Sequence, residues 1–307
     1  MNRIERHTTS PRLKLAVIGL GKAGCEIARY LLEQPDVRLV GAYCRNGGDK
    51  AGKDLGELLN MRDTGIIVKG DSFLHEDMRR LRPDAVIDFS TPEGTLRHAA
   101  VLCPLRIRMV IGTTGFSDIA LKRLKVMTRR HGNGVVNAPN ITTGVNVMML
   151  LTHLAASLLS HYDFHITETH HVRKKDAPSG TAKKIAREIE KGLAEAGVED
   201  TEGRVPIQAI RAGGVVGVHE VLVVGEQDQI RITHESFSRR IFAEGALRAA
   251  RYVAHKTGWF EMKDTLQMTQ ALESYLGISS RGATGNRGPA RYESPERHQG
   301  IMLSAMQ

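Results

Sequence analysis

Residues 168–182 read ETHHVRKKDAPSGTA. Two adjacent histidines, His170 and His171, are followed by Arg173, Lys174 and Lys175, then by Asp176, Pro178 and the small-residue run Ser179-Gly180-Thr181. Imidazole exchanges protons near neutral pH. Lysine offers a cation or a proton, and the N–H groups at a helix start attract anions. The flanks give this chemistry a frame. YDFHIT before the segment reads as a strand. SGTAKKIAREIEKGLAEAG reads as a helix, with Ala182, Ile185, Ala186, Ile189, Leu193 and Ala194 on one stripe. A charged loop held between two rigid elements, with a helix start at its end, describes an anion site able to move protons. Arg173 and Lys175 read as solvated, Asp176 as orienting the loop and Pro178 as stiffening it.

A second motif is Gly19-Leu20-Gly21-Lys22-Ala23-Gly24. It follows the apolar strand LKLAVIGL and opens the helix AGCEIARYLLEQ, the context in which GxGxxG binds a dinucleotide. The next strand, VRLVGAYC, ends in Cys44 rather than the acid that would hold a ribose 2′-hydroxyl, and Arg45 follows. An arginine there suits a 2′-phosphate and so NADPH over NADH. Gly112-Thr113-Thr114-Gly115 and Asp88-Phe89-Ser90-Thr91 end two further strands, and together with the glycine turn they imply one ligand crevice.

These residues need elements to position them. AVIDFS, RMVIGTTG and GVVNAPN read as strands, alternating with the helices EGTLRHAAVLC and DIALKRLKVMTRR. Strand–helix alternation with short links gives a Rossmann-like doubly wound parallel sheet over residues 13–140. From residue 141 the pattern becomes an apolar helix, GVNVMMLLTHLAASLLSH with Met148 and Met149 in its core, and then long strands with a turn at Glu226–Gln229. Residues 141–240 therefore read as an α+β domain with an open mixed sheet. AEGALRAARYVAHKTGWFEMKDTLQM reads as helix again, within a block spanning 241–277. Residues 1–12 read as a polar leader and 278–307 as a disordered tail.

Composition narrows the class. The 307-residue chain carries a net charge of +9, which suits anionic partners. Aromatics at 5% and the lack of a nucleic-acid motif argue against DNA or RNA. No apolar run of about 18 residues suggests a membrane span, and the N-terminal residues lack the apolar centre of a signal peptide. Cys25, Cys44 and Cys103 have no metal-ligand spacing and fit reduced thiols in the cytoplasm. His161, His165, His170 and His171 could suggest zinc. No cysteine or carboxylate completes a known spacing, and strand alternation sets His165 and His171 opposite His170, so no metal is expected.

The motifs VIDFSTPEGTL, MVIGTTGF, APNITTGVNVM, ETHHVRKKDAPSGTA, IRAGGVVGVHEV and SRRIFAEGALRAA carry a resemblance to the 4-hydroxy-tetrahydrodipicolinate reductase family, also called dihydrodipicolinate reductases. It runs from about Leu13 to about Leu266, and the fourth motif is the most specific. The resemblance implies hydride transfer from a nicotinamide to a cyclic dicarboxylate imine with loss of water, in diaminopimelate–lysine biosynthesis. It implies His170 as acid/base and Lys174 as proton donor and carboxylate contact. His171, Gly180, Thr181 and Thr114 would hold the substrate. The cofactor, NADPH by preference and NADH otherwise, would lie against Gly19, Leu20, Gly21, Lys22, Ala23, Gly24, Arg45, Gly112, Thr113, Thr114, Ala138, Pro139, Asn140 and Ile141. It also implies a homotetramer formed through the second domain's sheets, with the last helices packed back on the nucleotide domain. For His170 to donate at neutral pH, neighbouring acids are expected to raise its pKa. A paralogue acting on another cyclic dicarboxylate imine and a non-catalytic nucleotide-binding protein stand as alternatives. The intact set of His170, Lys174 and Ser179-Gly180-Thr181 argues against the second.

Overall fold

Strand β1 (Leu13–Ile18) shows why the first sheet forms. Leu15, Ala16, Val17 and Ile18 are all buried, as a central parallel strand covered on both faces requires. The structure, a computed structural model, describes residues 11–277. Most of the expected leader and all of the expected tail therefore lie outside the described residues.

The chain continues through α1 (Lys22–Leu32), β2 (Val37–Cys44), the single turn α2 (Leu55–Leu58), β3 (Lys69–Gly70), α3 (Leu74–Leu81), β4 (Ala85–Asp88), α4 (Pro92–Leu102), β5 (Arg108–Ile111), α5 (Asp118–His131) and β6 (Gly134–Asn137). The second part adds α6 (Thr143–Leu158), β7 (Asp163–His170), α7 (Gly180–Glu195), β8 (Ile207–Arg211), β9 (Gly217–Val224), β10 (Gln229–Ser236), α8 (Arg240–Val253) and β11 (Gly258–Glu261). The first sheet has seven parallel strands in the order β11-β6-β5-β4-β1-β2-β3, the doubly wound arrangement expected. The second has four, ordered β10-β9-β7-β8, and is mixed: β7 runs parallel to β8 and antiparallel to β9. Helices α6 and α7 cover one face of it through Met148, Ile185, Ile189 and Leu193, packed on Phe164, Ile166, Val221 and Val223. Helix α8 packs Ala243, Ala246 and Leu247 into the same core as α1 and β1, so it covers the nucleotide-type sheet. All these elements belong to one compact unit ending at Leu266. Helix α9 (Met268–Tyr275) belongs to a second that begins at Gln267.

Two readings of local structure change. The stretch after α8, read as continuous helix, is interrupted by β11, which pairs in parallel with β6, Trp259 opposite Val135. Gly258 at φ 133° stops any helix there. Trp259 and Phe260 then point into the cores on opposite faces of the sheet, a period of two that only a strand provides. Strand β7 also runs further than YDFHIT. Its ladder to β8 carries Glu168, Thr169 and His170 into the sheet, and its ladder to β9 runs as far as Thr169, so the loop starts at His171. Pairing on both sides overrides the polar composition.

Candidate active site

The glycine turn explains itself residue by residue. Gly19 has φ 91°, and a Cβ there would sit 2.4 Å from the Phe89 carbonyl oxygen. A Cβ on Gly24 would sit 1.8 Å from the Gly19 carbonyl oxygen. Both are required by the protein's own packing. Gly21, the N-cap of α1, is different: a Cβ there would meet nothing within 4 Å, and no side chain caps the helix. Open space in front of uncapped N–H groups fits a pyrophosphate drawing close to the backbone. Leu20 is buried, Lys22 exposed and Ala23 half-buried. Arg45 is exposed at the end of β2, with no carboxylate on the strand end beside it. Lys50, which the sequence gave no reason to single out, donates to the Leu20 carbonyl and so stands against the same turn.

Strand β4 ends in a buried network. Asp88 accepts from the Ser90 hydroxyl at 2.6 Å and lies 2.8 Å from His98 Nδ1. This anchors the Phe89-Ser90 edge. Thr113 is buried and tied to Thr95 and to the Asp88 carbonyl, whereas Thr114 is exposed. Gly112 and Ala138 donate N–H groups to the Asp88 and Ile111 carbonyls, holding the next two strand ends in line.

Two cavities join the sheets. One, of about 210 Å³, has Ala23, Gly112 and the Ala138–Ile141 segment on one wall and His170, Thr181 and His219 on the other. The second, about 540 Å³, is lined by Thr114, Lys174, Gly180 and Thr181, together with Lys183, Lys184 and Arg187. Asp176 is its sole acidic lining residue. Pro139, Asn140 and Thr181 border both. His171 lines neither; its carbonyl accepts from the Lys174 N–H. Gly19, Gly21, Lys22 and Arg45 stand apart from both cavities, along the nucleotide-type sheet.

The loop works from Glu168. This side chain is fully buried. Its Oε1 accepts from the Ser179 N–H at 2.8 Å and from Arg211 at 3.1 Å. Its Oε2 faces His170 Nδ1 at 3.2 Å and His219 Nε2 at 3.6 Å. Strand register sets this up: Glu168 lies opposite His219 on β9, and His170 opposite Arg211 on β8. Ser179 caps α7 by accepting from the Ala182 N–H. Lys174 Nζ lies 2.9 Å from the Asp176 carboxylate, which is held below its usual range chiefly by that lysine.

Burial pushes His170 below the ordinary imidazole value, opposed by the charge of Glu168. The expected upward shift is therefore corrected: desolvation of the cation, helped by the charges of Lys174 and Arg211, outweighs the carboxylates of Glu168 and Asp176. Burial also presses on Glu168, but the bonds from Ser179 and Arg211 prevail and keep it ionised. His219 is pushed down to about 4 by burial and by His170.

The four-histidine set considered from sequence does not form a cluster. Glu168, His170 and His219 do, with ligand-type atoms all within 4.8 Å. Arg211 already holds this carboxylate, so the trio is better described as two imidazoles set against a paired carboxylate than as a cation cage. Sequence reasoning passed over Glu168, Arg211 and His219. Glu168 and His170 sit two apart on a strand, a signal that they share a face. The other two stand in IRAGGVVGVHEV with nothing local to mark them.

Residues 13–141 match the family model described as "Dihydrodipicolinate reductase, N-terminus", and residues 144–266 match "Dihydrodipicolinate reductase, C-terminus". The chain belongs to the dihydrodipicolinate reductase family. Relatives of this family named 4-hydroxy-tetrahydrodipicolinate reductase include one from Paraburkholderia phymatum, 38% identical over 83% of this chain and 99% of its own. One from Ralstonia nicotianae is 40% identical over 83% of this chain and 99% of its own. Among solved structures, a dipicolinate-bound dihydrodipicolinate reductase from Paenisporosarcina sp. TG-14 superposes with a TM-score of 0.68 at 27% identity, covering 81% of this chain and 97% of that one. An amine dehydrogenase from Mycobacterium smegmatis, at 14% identity and a TM-score of 0.60, shares the fold. A reductase family on a Rossmann-like fold makes this an oxidoreductase that uses a nicotinamide cofactor and a small substrate.

Proposed function

We propose that this chain reduces 4-hydroxy-tetrahydrodipicolinate to tetrahydrodipicolinate, with loss of water, in diaminopimelate and lysine biosynthesis, using NADPH in preference to NADH. One observation carries the reading. A single cavity has Ala23, Gly112 and Ala138 of the nucleotide-type sheet facing His170 and Thr181, and it adjoins a cleft holding Lys174. A reduced nicotinamide, when bound, supplies the hydride. The chain's own residues do the rest. Gly19–Gly24 and the start of α1 fit the pyrophosphate, and Arg45 beside a strand end without an acid favours a 2′-phosphate. Lys174 and the first turn of α7 at Gly180 and Thr181 hold carboxylate groups, with Thr114 across the cleft. Asp176 models this: one carboxylate already rests against Lys174, and it is exposed enough to swing away for a substrate's. Lys174 gives a proton to the reduced ring. His170, neutral in its buried setting, takes and returns protons at the face of the cavity.

We further take the enzyme to be a cytoplasmic homotetramer with no nucleic-acid or membrane partner. The free thiols of Cys25, Cys44 and Cys103 support a reducing compartment. Ile210 and Ile230, exposed on the second sheet, support an association surface there. Among the described residues no helix is long and apolar enough to cross a membrane.

The test is NADPH oxidation followed by absorbance, with substrate generated in place by the preceding synthase. Turnover is expected. Retained NADPH binding without turnover rejects the assignment.

A further inference from the structure

We propose that Glu168 is a positioning residue that fixes the tautomer of His170, leaving Nδ1 protonated and Nε2 free to act in the cavity. This rests on the reading of His170 as the acid/base group.

The two side chains stand on the same face of β7, two residues apart. Oε1 of Glu168 is occupied by the Ser179 N–H and Arg211, donors that keep the carboxylate ionised. Oε2 is buried without an aligned hydrogen bond, and so is His170 Nδ1; these two atoms face each other at 3.2 Å. A buried carboxylate oxygen left unsatisfied is costly, and a small turn of the imidazole completes the bond. The neutral ring has one N–H. Placing it on Nδ1 satisfies Glu168 and leaves a lone pair on Nε2. That atom points at Gly217, where a Cβ would come within 3.0 Å of it, and both residues line the cavity. His219, the other imidazole near Oε2, lies further away at 3.6 Å. It is also 3.4 Å from the Ser179 hydroxyl, a second partner for its Nε2. The relation resembles that of a carboxylate orienting a general base: the acid stays ionised and selects which nitrogen works.

The charged and titratable groups facing His170 enter its pH behaviour: Glu168 on its own strand, Arg211 on β8, His219 on β9, and Lys174 and Asp176 in the loop. Of these, Glu168 acts most strongly to keep the imidazolium available. Removing its charge moves the His170 titration to lower pH.

The test begins with the unaltered full-length protein. Long-range ¹⁵N–¹H correlation spectra, with His170 assigned by its loss in His170→Gln, should show the Nδ1–H tautomer; an Nε2–H tautomer overturns the proposal. Glu168→Gln should then lower kcat by about 10²-fold, the lower end of general acid–base help, with little change in KM. The acidic limb of its kcat/KM profile should move to lower pH. Wild-type kcat and pH profile in Glu168→Gln, while His170→Gln is inactive, overturns the positioning role alone. An active His170→Gln instead overturns the assignment of His170 itself. If Glu168→Gln does not fold, the spectrum of the unaltered protein still decides.

Discussion

Lys174 and Asp176 form an ion pair, Nζ to Oδ1 at 2.9 Å, in a cleft whose other charged lining residues are all cations. The aspartate side chain is 58% exposed, so the pair is loosely held and a substrate carboxylate can replace it. Lys174→Ala should therefore lower kcat and raise KM together, because the lysine serves binding and proton transfer. His170→Gln should lower kcat by about 10²–10⁴ with a smaller change in KM. NADPH affinity, measured by calorimetry, should survive both.

The three glycines of the turn should separate folding from binding. Gly24→Ala forces a side chain onto the Gly19 carbonyl oxygen and should destabilise the protein by about 3 kcal/mol or more. Gly21→Ala meets no protein atom and should keep the thermal midpoint while weakening NADPH binding. Unchanged NADPH affinity in Gly21→Ala would show that no phosphate approaches this backbone.

Cofactor choice should rest on Arg45. Arg45→Ala should weaken NADPH by about 1–3 kcal/mol, the scale of a charge-assisted hydrogen bond, and leave NADH nearly unchanged. Equal losses for both cofactors would assign the preference elsewhere, with Lys50 beside Leu20 the next residue to replace.

Charge in the cleft should show in the salt dependence. Lys174, Lys183, Lys184 and Arg187 line the cleft with one acid among its lining residues, Asp176, so a doubly anionic substrate is drawn in through solvent. Raising ionic strength should lower kcat/KM, since screening shortens to about 10 Å near 0.1 M. Lys184→Ala should flatten that dependence. A slope unaltered by the substitution would remove Lys184 from the attraction.

Acid should destabilise the fold through His219. Its folded pKa of about 4 lies below the value of 6.5 expected when exposed. The folded state thus binds fewer protons, and the stability from its neutral form is present above pH 6.5. That stability is lost as pH falls toward 4, by up to about 3 kcal/mol. Urea midpoints across this window should slope downward with acid, and His219→Gln should reduce the slope.

Much of this was legible in the sequence. Strands buried on both faces, such as LKLAVI and AVID, are unbroken apolar runs, and the glycine turn sits between recognisable elements. Ser179-Gly180-Thr181 starts a helix as its stripe of apolar residues implies. GWFE was not legible, because four residues after a long amphipathic helix offer little periodicity to read. Arg211 and His219 were not legible as site residues for another reason. Their places beside His170 and Glu168 depend on how β8 and β9 align with β7, and register between distant strands leaves no local mark.

The position of β11 has a consequence for biosynthesis on the ribosome. This strand lies at one edge of the seven-stranded sheet, yet it comes from residues 258–261, after every strand of the second sheet. A nascent chain has the whole substrate-side sheet in hand before the nucleotide-side sheet can acquire its final strand. Until Trp259 and Phe260 emerge, β6 is an open edge, and each core lacks one of the aromatic side chains that pack against it. Completion of the first-begun sheet is thus among the last events in the synthesis of this compact unit, which ends at Leu266.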